Sequence, residues 1–295
     1  MPGLFRCGGE TVLTILFDGI AYGMVLFVLA CGLSITLGLM NFVNLAHGVF
    51  AMVGGYATAI LMNRLGVPFL ATLPFAFLIP AALGLVLERT LYQQLYNRNH
   101  LDQVLFTIGL VFMAIAAVDY IMGSRPQLIQ LPNWLRGRVD VFGVQVGLYR
   151  SFIIVVCSVL VVALQLILTK TRFGAQLRAA VDDPRVARGL GINTSLVFAA
   201  TFAMGSGLAG LGGALGAEIL GLDPTFPLKF LIYFMIVVTV GGTSSLTGPF
   251  FASLLLGIAD VAGKYYVPSL GAFVIYTVMI VVLVFRPQGL FVKSR

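Results

Sequence analysis

Long apolar runs separated by short polar stretches make up most of this chain. They fall near residues 11–31, 36–61, 67–87, 104–122, 151–169, 196–217, 229–246, 249–263 and 269–285. Several exceed the roughly 18 residues that mark a membrane-spanning helix. In hydrocarbon every backbone N–H and C=O must bond within the protein, which leaves helices or closed barrels. Barrel strands alternate polar and apolar positions, and these runs do not. The pattern predicts an all-α, polytopic helical membrane protein, with about eight or nine transmembrane segments, some of them broken. All 295 residues form one transmembrane domain. The run 249–263 is short for a full crossing, and the first two runs also fit one span plus a re-entrant piece.

Composition sharpens this picture. The chain is 59% hydrophobic and only 10% charged, against about 25% charged in a soluble domain. The net charge of +7 fits a phosphate-rich lipid surface or a partner protein. No clustered basic face with stacking aromatics points to nucleic acid. Cys7, Cys31 and Cys157 are too scattered for a metal site or a disulfide framework. The "VLACG" ending at Gly32 faintly resembles a lipoprotein cleavage site, but the apolar chain continues past it, so it reads as helix.

Basic residues set the orientation, because short cytoplasmic loops are enriched in Lys and Arg. Residues 170–195 hold Lys170, Arg172, Arg178, Arg185 and Arg188. Placing this cluster in the cytoplasm puts loop 88–103 and the C-terminus there too, and loop 123–150 outside. Trp134 then anchors the outer loop at the interface.

Polar residues at membrane depth are the candidate chemistry. "NFVNLAHG", residues 41–48, sets Asn41, Asn44, His47 and Gly48 in an otherwise apolar stretch. If the stretch is helical, the three polar side chains span about 120° of arc. That arc is costly in lipid, so it faces protein or a cavity. Two readings stand. The side chains bond neighbouring helices, each bond giving about 0.6 and up to about 2 kcal/mol, or a broken helix lines a substrate path. His47 has no acidic neighbour in its own segment and is not assigned proton transfer. "VGGTSSLTGPFF", residues 240–251, interrupts the second half in the same way and also fits a plain turn. Gly205, Ala209 and Gly213, in "GSGLAGLGGALG", make a small-residue face for close helix contact within the chain. Glu218, Asp223 and Lys229 follow at the outer mouth, and Arg125 is a candidate partner for Asp119.

The segment 170–195 carries a second motif. Asp182-Asp183-Pro184 reads as a helix start, with an Asp cap and Pro at the first position. Gly189 and Gly191 supply the stop. On these residues alone the short helix fits either lipid headgroups or a protein partner.

Several stretches together resemble one family. "RAAVDDPRVARGLGIN" is similar to the cytoplasmic loop of permease subunits in branched-chain amino-acid ABC importers. "NFVNLAHG", "FAMGSGLAGLGGALGA", "VVTVGGTSSLTGPFFASLLLGI" and "RPQGLF" resemble further stretches of that family, over residues 15–291 in all. The chain is closest to the shorter of the two permease types and departs from the commonest pattern at Val43-Asn44-Leu45. The resemblance implies that Arg178, Asp182, Asp183, Pro184, Ala187, Arg188 and Gly191 belong to a coupling helix docking on an ATPase. It implies two ATPase subunits, a second and different permease subunit, an extracytoplasmic solute-binding protein and the bacterial inner membrane.

The chain itself has no phosphate-binding loop, since Gly263-Lys264 is followed by Tyr265. ATP and Mg are therefore expected on the partner ATPase, with no cofactor, metal or catalytic residue here, and no enzyme activity. Branched-chain or other hydrophobic amino acids are the expected cargo. The rival readings are an importer of urea, short amides or simple sugars, a stand-alone proton-coupled transporter, and a structural subunit with no path of its own.

Overall fold

The computed structural model describes residues 3–40, 42, 44–96, 98–141, 144–242, 246–286 and 289–290. The described residues are almost entirely helical. The helices are α1 (Gly3–Met40), α2 (His47–Leu65), α3 (Phe69–Thr90), α4 (His100–Met122), α5 (Leu148–Lys170), α6 (Arg172–Asp182), α7 (Pro184–Gly189), α8 (Thr194–Leu220), α9 (Phe226–Gly241), α10 (Thr247–Tyr266) and α11 (Gly271–Phe285). Between α4 and α5 lies a small antiparallel hairpin, β1 (Arg138–Val141) with β2 (Val144–Gly147). Among the described residues, five helices are long and apolar enough to cross a membrane, in the stretches 12–37, 69–94, 100–122, 148–170 and 194–220. The chain is thus a multi-pass helical membrane protein.

Helix α8 is the centre of the bundle, and its glycines explain why. Gly205 lies against Gly32 of α1, Gly213 against Ala51 of α2, and Gly207 against Phe77 of α3. A Cβ at Gly212 would lie 3.0 Å from Leu29 side-chain atoms. With no hydrophobic drive between helices in lipid, such close backbone contact is a main source of association. The small-residue face read from the sequence therefore packs within the chain. Helix α10 closes on α1 through Gly257, which sits against Gly19 and Gly23. At the periphery, Phe112 and Met113 of α4, Val155 and Val159 of α5, and Ile280 and Val284 of α11 are exposed. These apolar faces suit lipid.

The first two expected segments are redrawn. Helix α1 runs without interruption through 31–36, and the break falls at 41–46 instead. The broken-helix expectation holds, but the helical arc of Asn41, Asn44 and His47 does not form, because Asn44 is outside any helix. Helix α6 and the hairpin were not expected from the sequence. The interruption at 240–251 lies between α9 and α10, where Gly241 packs on Gly248 and Pro249; residues 243–245 lie outside the described residues.

Relative ends are fixed by three contacts. Arg89 and Gln93 bond to Ser195, joining the α3–α4 turn to the polar segment before α8. The Leu290 N–H bonds the Val240 carbonyl, at the end of α9 that lies nearest that segment. At the opposite end, the Gln127 N–H bonds the Leu222 carbonyl between α8 and α9.

Candidate functional site: a buried helix break and its polar arm

After Met40 the chain turns back beside α1. His47 Nε2 lies 2.9 Å from the carbonyl oxygen of Leu29. A carbonyl only accepts, so Nε2 carries the hydrogen in this contact. Leu29 lies well inside the apolar stretch 12–37. Helix α2 therefore starts within the bundle and not at its edge. Phe42, Asn44, Ala46 and His47 are all buried.

A break at this depth frees backbone groups that must find partners. The Phe42 N–H reaches the Thr36 carbonyl at 3.2 Å. The Leu45 N–H reaches Thr107 Oγ1 of α4 at 3.3 Å. The Ala46 N–H reaches Asn44 Oδ1 at 3.1 Å. The Tyr92 hydroxyl stands 3.5 Å from the same oxygen, at the limit of a hydrogen bond. Asn44 Nδ2 is buried and has no partner among the described residues. Asn41 lies outside the described residues.

A second interior start faces the first. The connection 221–225 folds inward, with Leu222 fully buried against Gly55. Helix α9 then begins at Phe226, which is also buried. Gly48, in the first turn of α2, sits against Pro227, in the first turn of α9. Neither start has a side-chain cap. Helix N-termini carry partial positive charge, so the two converging starts offer an electropositive spot beside the unpaired Asn44 amide. Such a spot suits a polar or anionic group inside a membrane protein.

The polar segment forms an arm at one end. Asp183 caps α7, with Oδ1 accepting from the N–H groups of Arg185 (2.8 Å) and Val186 (3.0 Å). Pro184 takes the first position. Gly191 adopts φ +83°, and the Ile192 and Gly191 N–H groups bond the Ala187 and Arg188 carbonyls. This left-handed cap closes the helix as the sequence indicated, at Gly191, while Gly189 is the last helical residue. Asp182 ends α6 and is exposed; Arg188 Nε donates to the Pro184 carbonyl at 3.0 Å, and Arg178 donates to the Leu168 carbonyl. Ala187, in contrast, is buried. The exposed apolar surface of this arm belongs to Val186 and Leu190.

Contacts run unbroken from the arm to the break. Ser195, at the start of α8, accepts from Gln93 Nε2 at 2.5 Å and from Arg89 Nη1 at 3.2 Å. Tyr92, beside Gln93, packs on Phe202 and Phe42 and reaches Asn44. Glu88 is fully buried nearby, accepting from the Tyr96 hydroxyl at 3.0 Å. Sequence reasoning passed over Glu88, Tyr92 and Ser195. A carboxylate beside Arg89 at the end of an apolar run was the one available signal.

At the other end four acidic residues find partners. Asp18 pairs with Arg150, and Asp260 with Lys264 at 2.5 Å. Asp119 accepts from Ser124 Oγ at 2.6 Å, and not from the expected Arg125. Asp223 is partly buried, which raises its pKa. Hydrogen bonds from Lys229 and Thr225 outweigh that and hold the carboxyl below its ordinary value.

Discontinuous helices that start inside an apolar bundle, with polar groups at the break, define a membrane transport protein. Residues 15–283 match the family described as branched-chain amino acid transport system / permease component. The chain belongs to that family and is a membrane permease component. It is 28% identical over 292 residues to the high-affinity branched-chain amino acid transport system permease protein BraD of Pseudomonas aeruginosa, covering 93% of this chain and 94% of that one. It is 27% identical over 290 residues to the corresponding LivH of Escherichia coli K12, with 93% and 94% covered. The high-affinity branched-chain amino acid transport system permease protein LivM of Salmonella typhimurium is 24% identical over 299 residues, with 92% of this chain and 69% of that one covered. No solved structure gives a significant match.

Proposed function

We propose that this chain is the membrane permease of an ATP-driven importer for branched-chain or other hydrophobic amino acids. The observation that carries this reading is the buried break, where the starts of α2 and α9 meet beside the unpaired amide of Asn44. Fixed donors at that depth suit a substrate carboxylate, and the apolar surroundings suit its side chain. The family membership and the names of its relatives support the cargo.

In this reading the arm 170–195 lies in the cytoplasm and docks on one of two ATPase subunits through Val186 and Leu190. Binding of ATP and Mg stays on those subunits. A second, different permease subunit completes the path, and an extracytoplasmic solute-binding protein delivers cargo at the hairpin end. The chain sits in a bacterial inner membrane with its C-terminus inside. Docking moves α7, and the contacts through Ser195, Gln93 and Tyr92 carry that motion to the break.

The test is uptake of labelled L-leucine by the complete complex in proteoliposomes. Uptake should need ATP inside, the ATPase chains and the solute-binding protein. Asn44→Leu should leave the complex assembled and lower uptake at least 5-fold. Uptake driven by a proton gradient without the ATPase chains would overturn the reading in favour of a stand-alone transporter.

A further inference from the structure

An unassigned cavity of about 930 Å³ lies at the hairpin end of the bundle. It lies between α1, the start of α5, the end of α8 and the loop that carries β1 and β2. Three properties of its wall point to a ligand class. First, it carries both signs of charge. Asp18 and Arg150 pair with each other. Glu218, Arg136 and Arg138 line the same space and have no ion-pair partner among the described residues. Second, the apolar side chains of Leu128, Ile129, Leu131, Leu135 and Ile219 line the same space. Third, the cavity stands over the α1–α8 seam. Gly216 packs on Val25 and Gly212 on Leu29, and His47 at the break bonds Leu29.

A pocket for an anion or a cation alone would carry one sign. An unpaired carboxylate and two unpaired arginines lining one space, with apolar residues beside them, instead match a molecule that bears an ammonium, a carboxylate and an apolar side chain. We propose that this cavity is the entry site where a zwitterionic apolar amino acid is first held. Glu218 accepts from its ammonium group, Arg136 and Arg138 bind its carboxylate, and Leu131 and Leu135 face its side chain. The proposal rests on the amino-acid cargo given under the proposed function. A zwitterionic lipid head group shares the charge pattern, and the test separates it.

The test uses the complete complex with Gln145→Cys as the reporter, because Gln145 is exposed and lines the cavity without being assigned a contact. The native cysteines Cys7, Cys31 and Cys157 are replaced. Labelling by a charged thiol reagent is followed in phosphatidylglycerol nanodiscs, whose head group carries no ammonium. Millimolar L-leucine should slow labelling at least 3-fold. 3-Methylbutylamine, which lacks the carboxylate, and 4-methylpentanoate, which lacks the amine, should each fail to do so at the same concentration. Adding Glu218→Gln should abolish protection, and Glu218→Asp should keep part of it. Protection by either half-molecule alone, protection that survives Glu218→Gln, or labelling slowed by added phosphatidylethanolamine without leucine overturns the proposal. So does no protection at all. If Glu218→Gln does not assemble, the half-molecule comparison in the Gln145→Cys background decides. ATP-driven leucine uptake is measured on the same variants reconstituted in proteoliposomes. Uptake without protection removes only the entry site, whereas absence of uptake removes the cargo reading itself.

Discussion

Gly48 and Pro227 are in backbone contact: a Cβ at residue 48 would lie 2.9 Å from the Pro227 Cα. The contact brings together the first turns of two helices that both begin inside the bundle. Gly48→Ala should therefore force α2 and α9 apart, at a cost of about 1–3 kcal/mol. Gly109 on α4 has nothing within 4 Å of its Cβ position. Gly109→Ala should be neutral or stabilise by up to about 1 kcal/mol. Thermal unfolding of the two variants in detergent checks the contrast, and equal melting would contradict the packing described.

The His47 imidazole is tied to the Leu29 carbonyl and has no acidic partner in its hydrogen bonds. His47→Gln should lower stability by roughly 0.6 kcal/mol, the usual worth of an interhelical bond. The pH dependence of leucine uptake between about pH 5 and 8, the range in which histidine titrates, should not change. A flattened profile would revive proton coupling.

On α7, neighbouring residues should behave oppositely. Val186 is 58% exposed and Ala187 is 1% exposed. Val186→Glu should keep melting within about 0.5 kcal/mol of the parent while reducing co-purification of the ATPase and uptake together. Ala187→Glu buries an unpaired charge and should prevent folding of the arm at a cost of several kcal/mol. Normal ATPase binding by Val186→Glu would remove the docking assignment.

Asp223 titrates below its ordinary value of 3.8 because the bonds from Lys229 and Thr225 outweigh burial. A carboxyl with a depressed folded pKa contributes stability that is present above the unfolded pKa. That contribution is lost as pH falls from the unfolded value through the folded one. Thermal scans stepped down through pH 4 and below should show this loss. Asp223→Asn should start less stable at neutral pH and lose less on acidification, and parallel curves for the two would contradict the ion pair.

Arg185 and Asn133 are exposed at opposite ends of the protein. In intact cells, an impermeant thiol reagent should label Asn133→Cys and spare Arg185→Cys in a cysteine-free background. The reverse pattern would invert the proposed orientation.

Much of this protein was legible in its sequence. Apolar run length alone located the stretches that became α3, α4, α5 and α8, because burial in hydrocarbon demands complete internal bonding and helices provide it. Glycine spacing marked the contact face of α8, since only small residues permit that approach. Asp183-Pro184 and Gly191 fixed α7, because capping is a local matter of side-chain reach and backbone φ.

The tertiary structure decided the rest. The apolar runs put the first gap at 31–36, yet α1 continues to Met40 and the chain leaves the helix between Met40 and His47. A break is stable only where partners meet the freed N–H groups, and Thr107, which meets that of Leu45, comes from α4, elsewhere in the fold. The same holds for Ala187, whose neighbours in sequence are exposed while it is buried. It holds for Glu88, whose partner Tyr96 lies past the helix end. The entry cavity is the extreme case: Asp18, Arg136, Arg138, Arg150 and Glu218 come from separate elements, and their joint charge pattern exists only once those elements are packed together. Composition and periodicity set which solvent each segment prefers. Which polar groups meet is set by three-dimensional packing, because a polar group in an apolar bundle is stable only opposite a specific partner.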